Sequence, residues 1–199
     1  MHQQRCSWVP RHKSYYIQYH DEEWGVPVHD DNKLFELLIL EGAQAGLSWE
    51  TVLQKRKNYN AVFYNFHPGL CATMADEDLD QLVQYQGIIR NRLKIYSVRQ
   101  NAAAYLRIQQ EQGSFSQYIW NFVHGKSLVN AWADSAQIPA STPLSNQIAK
   151  DLKKRGMRFV GATIIYAFMQ AAGLVNDHTT DCFRYQQILA HTHDKQPLA

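Results

Sequence analysis

Residues 34–56, LFELLILEGAQAGLSWETVLQKR, decide the fold of this chain, because they combine two helical patterns with a glycine-bounded turn. Leu34, Leu38 and Glu41 follow the spacing i, i+4, i+7 and so share one face of a helix. The segment 30–32, Asp-Asp-Asn, offers three good N-cap residues, which predicts a helix that starts near residue 33. The stretch therefore begins with a helix whose apolar stripe ends in a carboxylate.

A turn and a second helix follow the first. Gly42 and Gly46 bracket the turn, and Ser48 is suited to cap a helix that starts with Trp49. A carboxylate such as Glu41 at the end of an apolar stripe needs a partner or a raised pKa. Glu41 could form the floor of a pocket between two aromatic-rich helices, or it could be a structural acid that holds its neighbours by hydrogen bonds. Periodicity alone favours the structural acid.

The composition indicates a soluble, cytoplasmic protein. The chain has 199 residues, 45% of them hydrophobic, enough for one sizeable core or two small ones. Its net charge of +2 is too small to indicate nucleic-acid binding unless the charge is clustered. Three cysteines cannot form a disulfide framework, the first ten residues have no apolar signal region, and no apolar run is long enough to span a membrane.

The pattern along the chain predicts an all-α fold. No segment shows sustained strand alternation, whereas helical spacing recurs in several stretches separated by glycines. We expect two helical lobes with a cleft between them, one lobe covering about 76–110, and a cleft of this kind is a natural ligand site. The residues after Tyr185 carry no pattern, so 186–199 are expected to be a disordered tail.

Basic residues are concentrated in two clusters. The segment 76–106 has the form helix–hairpin–helix around Gln86-Gly87-Ile88-Ile89, and such a hairpin can direct backbone N–H groups at a phosphate. Between residues 81 and 110 there are five basic residues and no acidic one, a local charge of +5: Arg90, Arg92, Lys94, Arg99 and Arg107. The second cluster carries +4, with five basic residues against Asp151: Lys150, Lys153, Lys154, Arg155 and Arg158. These clusters indicate DNA contacts or, alternatively, a solvated surface.

A metal site is a further candidate. His178 and Cys182 are spaced i, i+4, as zinc ligands can be, and Cys6 and His20 lie near the other end of the chain. With three cysteines and nine histidines such spacings arise by coincidence, and the pair at 191 and 193 is a rival. Spacing therefore leaves a four-ligand site open.

Four stretches closely resemble the 3-methyladenine DNA glycosylase I family, within the helix–hairpin–helix glycosylase superfamily. They are Cys6-x-Trp8, YHDxEWGVP at 19–27, LEGxQAGLSW at 40–49, and FVG at 159–161 through GLVNDH at 173–178. The resemblance covers roughly residues 5–182, so it implies one glycosylase domain over 1–185. It further implies a DNA repair enzyme that flips 3-methyladenine out of alkylated double-stranded DNA and hydrolyses its N-glycosidic bond, leaving an abasic site.

Site residues follow from the resemblance position by position. Cys6, His20, His178 and Cys182 would bind one zinc ion, which is structural because four protein ligands leave no open position. This zinc would tie the two ends of a monomeric chain together. Glu41 matches the catalytic, base-recognising carboxylate. The aromatic pocket would comprise Trp8, Tyr16, Tyr19 and Trp49.

The resemblance also implies DNA contacts. Gly46 would face the gap left by the flipped nucleotide, and the hairpin at Gly87 would anchor the phosphate backbone. The expected DNA-binding residues are Gly46, Gly87, Ile88, Ile89, Arg90, Arg92, Lys153 and Lys154.

One departure from the wider superfamily affects the chemistry. Most members carry an Asp some twenty residues after the hairpin glycine, whereas this stretch contains Arg107 and no acid. A 3-methylated adenine is already cationic, so it leaves without a strong general acid. Two alternatives remain at this stage: a non-catalytic helix–hairpin–helix DNA-binding protein and a zinc hydrolase acting on a small molecule.

Overall fold

The computed structural model describes residues 3–193 and is mostly helical. Within this range ten α-helices follow one another along the chain: α1 (Ser14–Gln18), α2 (Asp31–Gln44), α3 (Trp49–Val62), α4 (Pro68–Ala72), α5 (Asp76–Gln84), α6 (Arg92–Gln112), α7 (Phe115–Asn121), α8 (Pro143–Lys154), α9 (Ala162–Ala171) and α10 (Phe183–His193). A π-helical turn, Tyr19–Glu23, continues α1. Two short parallel strands, β1 (Leu128–Val129) and β2 (Val175–Asn176), pair Leu128 with Val175. The predicted predominance of helix is confirmed.

Helix α2 lies at the centre of the molecule. Asp30 caps its first turn by accepting a hydrogen bond from the Lys33 amide at 2.8 Å, as the segment 30–32 predicts. All residues from Leu34 to Ala43 are buried, because α2 packs against α3, α6, α7 and α9. A helix that is buried on all sides, rather than along one stripe, is a core helix. Glu41 is therefore carried on the most rigidly held element of the fold.

The turn after α2 has the predicted chemistry. Gly46 adopts φ +78°, a left-handed conformation that suits glycine, and Ser48 caps α3 by accepting from the Thr51 amide. Lys94 of α6 donates from Nζ to the backbone oxygens of Ala43 and Ala45 at 2.9 and 2.6 Å. These bonds satisfy carbonyls at the C-terminal end of α2 and fix the position of the turn.

The N-terminal segment is held on the helical core by charge and by backbone contacts. The Arg56 guanidinium of α3 bridges Glu23 and Glu36, with N–O distances of 2.7 to 2.9 Å. The Gly25 amide donates to the backbone oxygen of Gln170 in α9 at 3.1 Å. This segment contributes aromatic residues to the site described below, so these contacts position them.

The two ends of the described chain also meet. The Phe183 amide donates to the Gln4 backbone oxygen at 2.9 Å. Gly173 has φ +72°, and a Cβ there would lie 2.5 Å from the backbone of Val26 and Pro27, so only glycine permits this close approach. The N-terminal segment thus packs against the chain region that follows α9.

Three details of the sequence-based expectations are corrected. Residues 186–193 continue α10 instead of forming a disordered tail, because Ile188 is fully buried against the protein; residues 194–199 lie outside the described range. Helix α5 begins at Asp76, and Asp78 accepts from the Ala75 amide at 3.3 Å. Among the helices of residues 3–193, none combines the length and apolar character of a membrane span.

Candidate active site and metal centre

A cavity of about 390 Å³ lies between the N-terminal segment, α2, α3 and α9. All five residues that the sequence assigned to base binding line it: Trp8, Tyr16, Tyr19, Glu41 and Trp49. The other lining residues are Trp24, Gln44, Ser135, Ile138, Ala167 and Gln170. Four aromatic rings and one carboxylate from distant parts of the chain thus meet in one concave site.

The aromatic walls are packed against one another. Tyr19 and Trp49 have ring centroids 5.2 Å apart at an interplanar angle of 43°, and Trp8 lies 5.9 Å from Tyr16 and 4.9 Å from Trp24. Rings held in this way present fixed π-faces, which attract flat and cationic ligands. The cavity is therefore suited to a planar ring that carries positive charge.

Glu41 is the acidic group of this cavity. Its side chain is 4% exposed, and burial raises its pKa from 4.5 to about 8. Within residues 3–193 no group donates a hydrogen bond to its carboxylate, so it is not a structural acid of the kind that holds neighbours by hydrogen bonds. In the empty cavity at neutral pH the carboxyl is mostly protonated, and a cationic ligand would favour the ionised form.

A smaller cavity of about 170 Å³ connects Glu41 to the turn at Gly46. Glu41, Gln44 and Ala167 line both cavities, and the smaller one continues to Gly46, Leu47, Thr163 and Ile164. Leu47 is 43% exposed at the tip of this turn. The turn and the first residues of α9 thus border the entrance side of the aromatic site.

The junction between α8 and α9 lies next to this entrance. A Cβ on Gly42 would be 3.3 Å from Phe159, so the junction packs closely on the residue that follows Glu41. Gly156 (φ +92°) and Phe159 (φ +54°) both adopt left-handed backbone conformations in the connection. Lys153 and Lys154 lie exposed at the end of α8, immediately before it.

The predicted hairpin at 86–89 is largely engaged inside the protein. Ile88 is 2% exposed, so the prediction of a direct DNA contact by its side chain is wrong. The Ile89 amide already donates to Tyr59 Oη at 3.2 Å, which removes the N–H that was predicted to bind a phosphate. The Gly87 backbone oxygen accepts from Asn58 at 3.1 Å.

The first basic cluster is also less one-sided than the sequence window indicated. Arg92 bonds with Asp80, and Arg99 donates to Asp76 at 2.5 Å. Both acids lie on α5, just before residue 81, where the window began. Arg90 is exposed and has no side-chain partner among the described residues, so it is the arginine of this cluster that stays free for a ligand.

A second site brings together Cys6, His20, His178 and Cys182, all buried, with one donor atom each within 4.8 Å of the others. Cys6 Sγ and Cys182 Sγ each lie 3.5 Å from His178 Nδ1, and Cys182 Sγ lies 3.5 Å from His20 Nε2. With Zn–S of about 2.3 Å and Zn–N of about 2.05 Å, a tetrahedron has an S–N edge of about 3.5 Å. The donor set therefore fits a tetrahedral ion such as zinc. The side chains of the rival pair, His191 and His193, lie outside the described part.

The surroundings of this donor set also suit a metal ion. The second nitrogen of each imidazole is engaged, His20 Nδ1 with Asp21 at 2.8 Å and His178 Nε2 with the Trp24 backbone oxygen at 3.0 Å. Hydrogen bonding between the two thiols lowers the pKa of Cys182 and raises that of Cys6, as expected when two sulfurs share one proton. A dication would displace that proton and favour two thiolates.

The sequence model of the methyladenine glycosylase family matches residues 8–185. The chain belongs to this family. It is 51% identical to DNA-3-methyladenine glycosylase 1 of Escherichia coli (strain K12) over 182 residues, which cover 92% of this chain and 97% of that protein. The DNA-3-methyladenine glycosylase of Haemophilus influenzae is 48% identical over 89% of this chain and 96% of its own length. The resemblance drawn from the four sequence stretches is confirmed.

Solved structures of methyladenine glycosylases share the fold. A crystal structure of 3-methyladenine DNA glycosylase I has a TM-score of 0.88 at 54% identity, covering 90% of this chain and 98% of that one. A structure from Staphylococcus aureus, described as showing the basis of 3-methyladenine recognition, has a TM-score of 0.87 at 36% identity and covers 90% and 95% of the two chains.

The sequence reasoning missed six cavity residues: Trp24, Gln44, Ser135, Ile138, Ala167 and Gln170. Helical spacing carries part of the missing signal, since Gln44 follows Glu41 by three positions and Gln170 follows Ala167 by three. Ser135 and Ile138 come from an irregular segment and have no periodic signal. Their place in the site depends on how that segment folds against α9.

Proposed function

We propose that this chain is a DNA repair glycosylase that hydrolyses the N-glycosidic bond of 3-methyladenine in alkylated double-stranded DNA. The observation that carries the proposal is Glu41, a buried carboxyl without a protein hydrogen-bond donor, inside an aromatic cavity of about 390 Å³. Membership of the methyladenine glycosylase family and the names of the relatives supply the substrate.

Base recognition would combine charge with stacking. A flipped 3-methyladenine presents a positive charge and an exocyclic amino group to the cavity. Ionised Glu41 accepts from the amino group and complements the charge, while Tyr16, Tyr19 and Trp49 contact the ring faces. Unmodified adenine has the amino group but no positive charge, so it would not shift Glu41 toward its ionised form. This difference supports selection of the methylated base.

The reaction then requires little proton transfer to the leaving base. The bond between the sugar C1′ and the base nitrogen breaks, its electron pair neutralises the cationic base, and water adds to C1′ with loss of a proton. Glu41 is the catalytic residue in the sense that it touches the departing base. Its charge is held in a site of low polarity, where the interaction with the cationic base is stronger than in water.

DNA would approach the side of the molecule where the smaller cavity opens. Gly46 would face the gap left by the flipped nucleotide, and Lys153 and Lys154 would contact phosphates. Both connections, α5–α6 and α8–α9, join two helices through a short turn that contains glycine. The α8–α9 connection is contiguous with the base cavity through Thr163, which supports placing the DNA-anchoring hairpin there. Gly87, Arg90 and Arg92 then remain peripheral candidates.

The donor set Cys6, His20, His178 and Cys182 would hold one structural zinc ion. All four donors are protein groups, so the ion would have no open position for substrate or water. Its role would be to tie the N-terminal segment, which carries pocket aromatics, to the region after α9. We further propose that the enzyme is a monomer and acts in the cytoplasm, where its DNA substrate is found in bacteria such as those of its relatives.

Incubation of the protein with methylated duplex DNA, followed by identification of the released base, tests the proposal. We expect free 3-methyladenine and an alkali-sensitive abasic site. A Glu41→Gln protein provides the matched control and should release the base more slowly. Duplex binding without base release would favour the non-catalytic DNA-binding alternative. Loss of all activity on chelation with the fold retained would favour the zinc hydrolase.

A further inference from the structure

Asp177 is a fully buried acid that connects the wall of the base cavity to the region around the metal ligands. Its Oδ1 accepts from Asn130 Nδ2 at 2.7 Å and from the Trp132 indole N–H at 2.8 Å. Its Oδ2 accepts from Tyr166 Oη at 2.6 Å and from Gln170 Nε2 at 2.8 Å. Four donors from two chain segments therefore converge on one carboxylate, and each is fixed in place by it.

This arrangement determines which way the Gln170 amide points. A carboxylate only accepts hydrogen bonds, so the amide must direct its NH₂ group at Asp177. The carbonyl oxygen, Oε1, is the side-chain acceptor left over, and no group among the described residues donates to it. Gln170 lines the same cavity as Glu41, and its backbone oxygen is held by the Gly25 amide at 3.1 Å.

We propose that Gln170 is a specificity-determining residue whose Oε1 accepts the second N–H of the flipped base's exocyclic amino group, and that Asp177 is the positioning residue that fixes this orientation. The inference rests on the proposed function and adds to it a second acceptor beside Glu41. An exocyclic amino group offers two N–H donors, so two fixed acceptors match it. A base with a carbonyl oxygen at that position would instead meet two acceptors and be rejected.

The test is a cycle between a protein variant and a ligand variant. Dissociation constants of free 3-methyladenine and of 3-methylpurine, which lacks the amino group, are measured for the wild type and for Gln170→Met. Methionine has nearly the same length and shape but no acceptor. We expect binding of 3-methyladenine to weaken by about two- to tenfold, the usual range for one neutral hydrogen bond, and binding of 3-methylpurine to stay unchanged. Gln84→Met, on an exposed position of α5, is the matched control and should alter neither constant.

Asp177→Asn tests the positioning part. An amide at 177 can donate as well as accept, so the Gln170 amide can reverse and turn its NH₂ group into the cavity. We expect the preference for 3-methyladenine over 3-methylpurine to fall, and the Asp177→Asn/Gln170→Met double variant to lose no more of it than Gln170→Met alone. Melting temperature and zinc content show whether each variant is folded.

Equal weakening of both bases in Gln170→Met, or weakening of neither, would overturn the assignment of Gln170. An unchanged preference in folded Asp177→Asn would overturn the role of Asp177. Either result leaves the glycosylase activity of the wild type intact, whereas a wild type that neither binds 3-methyladenine nor releases it from DNA contradicts the proposed function itself.

Discussion

Replacing Glu41 by Gln should stabilise the folded protein by an amount that grows with pH. The unfolded carboxyl loses its proton near pH 4.5, whereas the folded one keeps it until about pH 8 because of burial. Between these values the unfolded state binds fewer protons than the folded state, so the stability of the wild type falls as pH rises. A glutamine at 41 has nearly the shape of the protonated glutamic acid and cannot lose a proton, so the variant should not show this fall.

The magnitude follows from the two pKa values, 4.5 and about 8. Linkage places the advantage of Glu41→Gln at about 1 kcal/mol at pH 5, about 3 kcal/mol at pH 7 and about 5 kcal/mol at pH 9. Urea unfolding of both proteins at these three pH values measures it, and the remaining titrating groups are common to both proteins and cancel in the difference. An advantage that does not change with pH would refute the reasoning, because it would mean that Glu41 is ionised in the empty cavity.

The same substitution should weaken function while it strengthens the fold. Gln keeps the size and one acceptor of Glu but loses the charge that complements a cationic base. Losing a charge-assisted hydrogen bond costs about 1.5–3 kcal/mol, so binding of 3-methyladenine should weaken on the order of ten- to a hundredfold and excision should slow. Titration with the free base measures the affinity. Unchanged affinity together with a large loss of stability would show that Glu41 is a structural core acid.

Three further outcomes are expected. Elemental analysis should find one zinc per chain, and a Cys6→Ala/Cys182→Ala variant should lose the metal and melt at lower temperature; full occupancy in that variant would place the ion elsewhere. Charge reversal at Lys153 and Lys154 should weaken binding to any duplex and reduce the slope of log affinity against log salt by about one for each phosphate that the variant no longer binds, while an unchanged slope would place the DNA on another face. Lys94→Met should reduce the free energy of unfolding by about 1–3 kcal/mol without changing the salt slope, because its ammonium group bonds carbonyls of α2; a reduced slope would instead make it a phosphate ligand.

Local signals in the sequence predicted the parts of the fold that depend on neighbouring residues. Asp30 and Ser48 cap α2 and α3 as expected, and Gly113, with φ +84°, ends α6. Caps and glycine stops act within three or four residues, so their physics is contained in a short window. The long motif around Glu41 likewise carried the family, because it preserves the residue types of a whole site.

Charge and burial were harder to predict because they depend on distant partners. Counting from residue 81 left out Asp76 and Asp80, which pair with Arg99 and Arg92 across the α5–α6 turn. Ile88 was expected at the DNA, but it packs into the core. A local charge count describes a surface only when every ion pair falls inside the window.

The amino-acid sequence by itself determined the helical class, the caps of the central helices, the family and the residue types of the base pocket. Only the tertiary structure decided which cavity those residues share, how far burial raises the pKa of Glu41, and that Asp177 orients Gln170 toward the same cavity. Helix signals arise from contacts three or four residues apart, whereas desolvation and side-chain orientation arise from groups that folding brings together across the chain. Asn130 and Asp177, 47 residues apart, meet only in the folded protein.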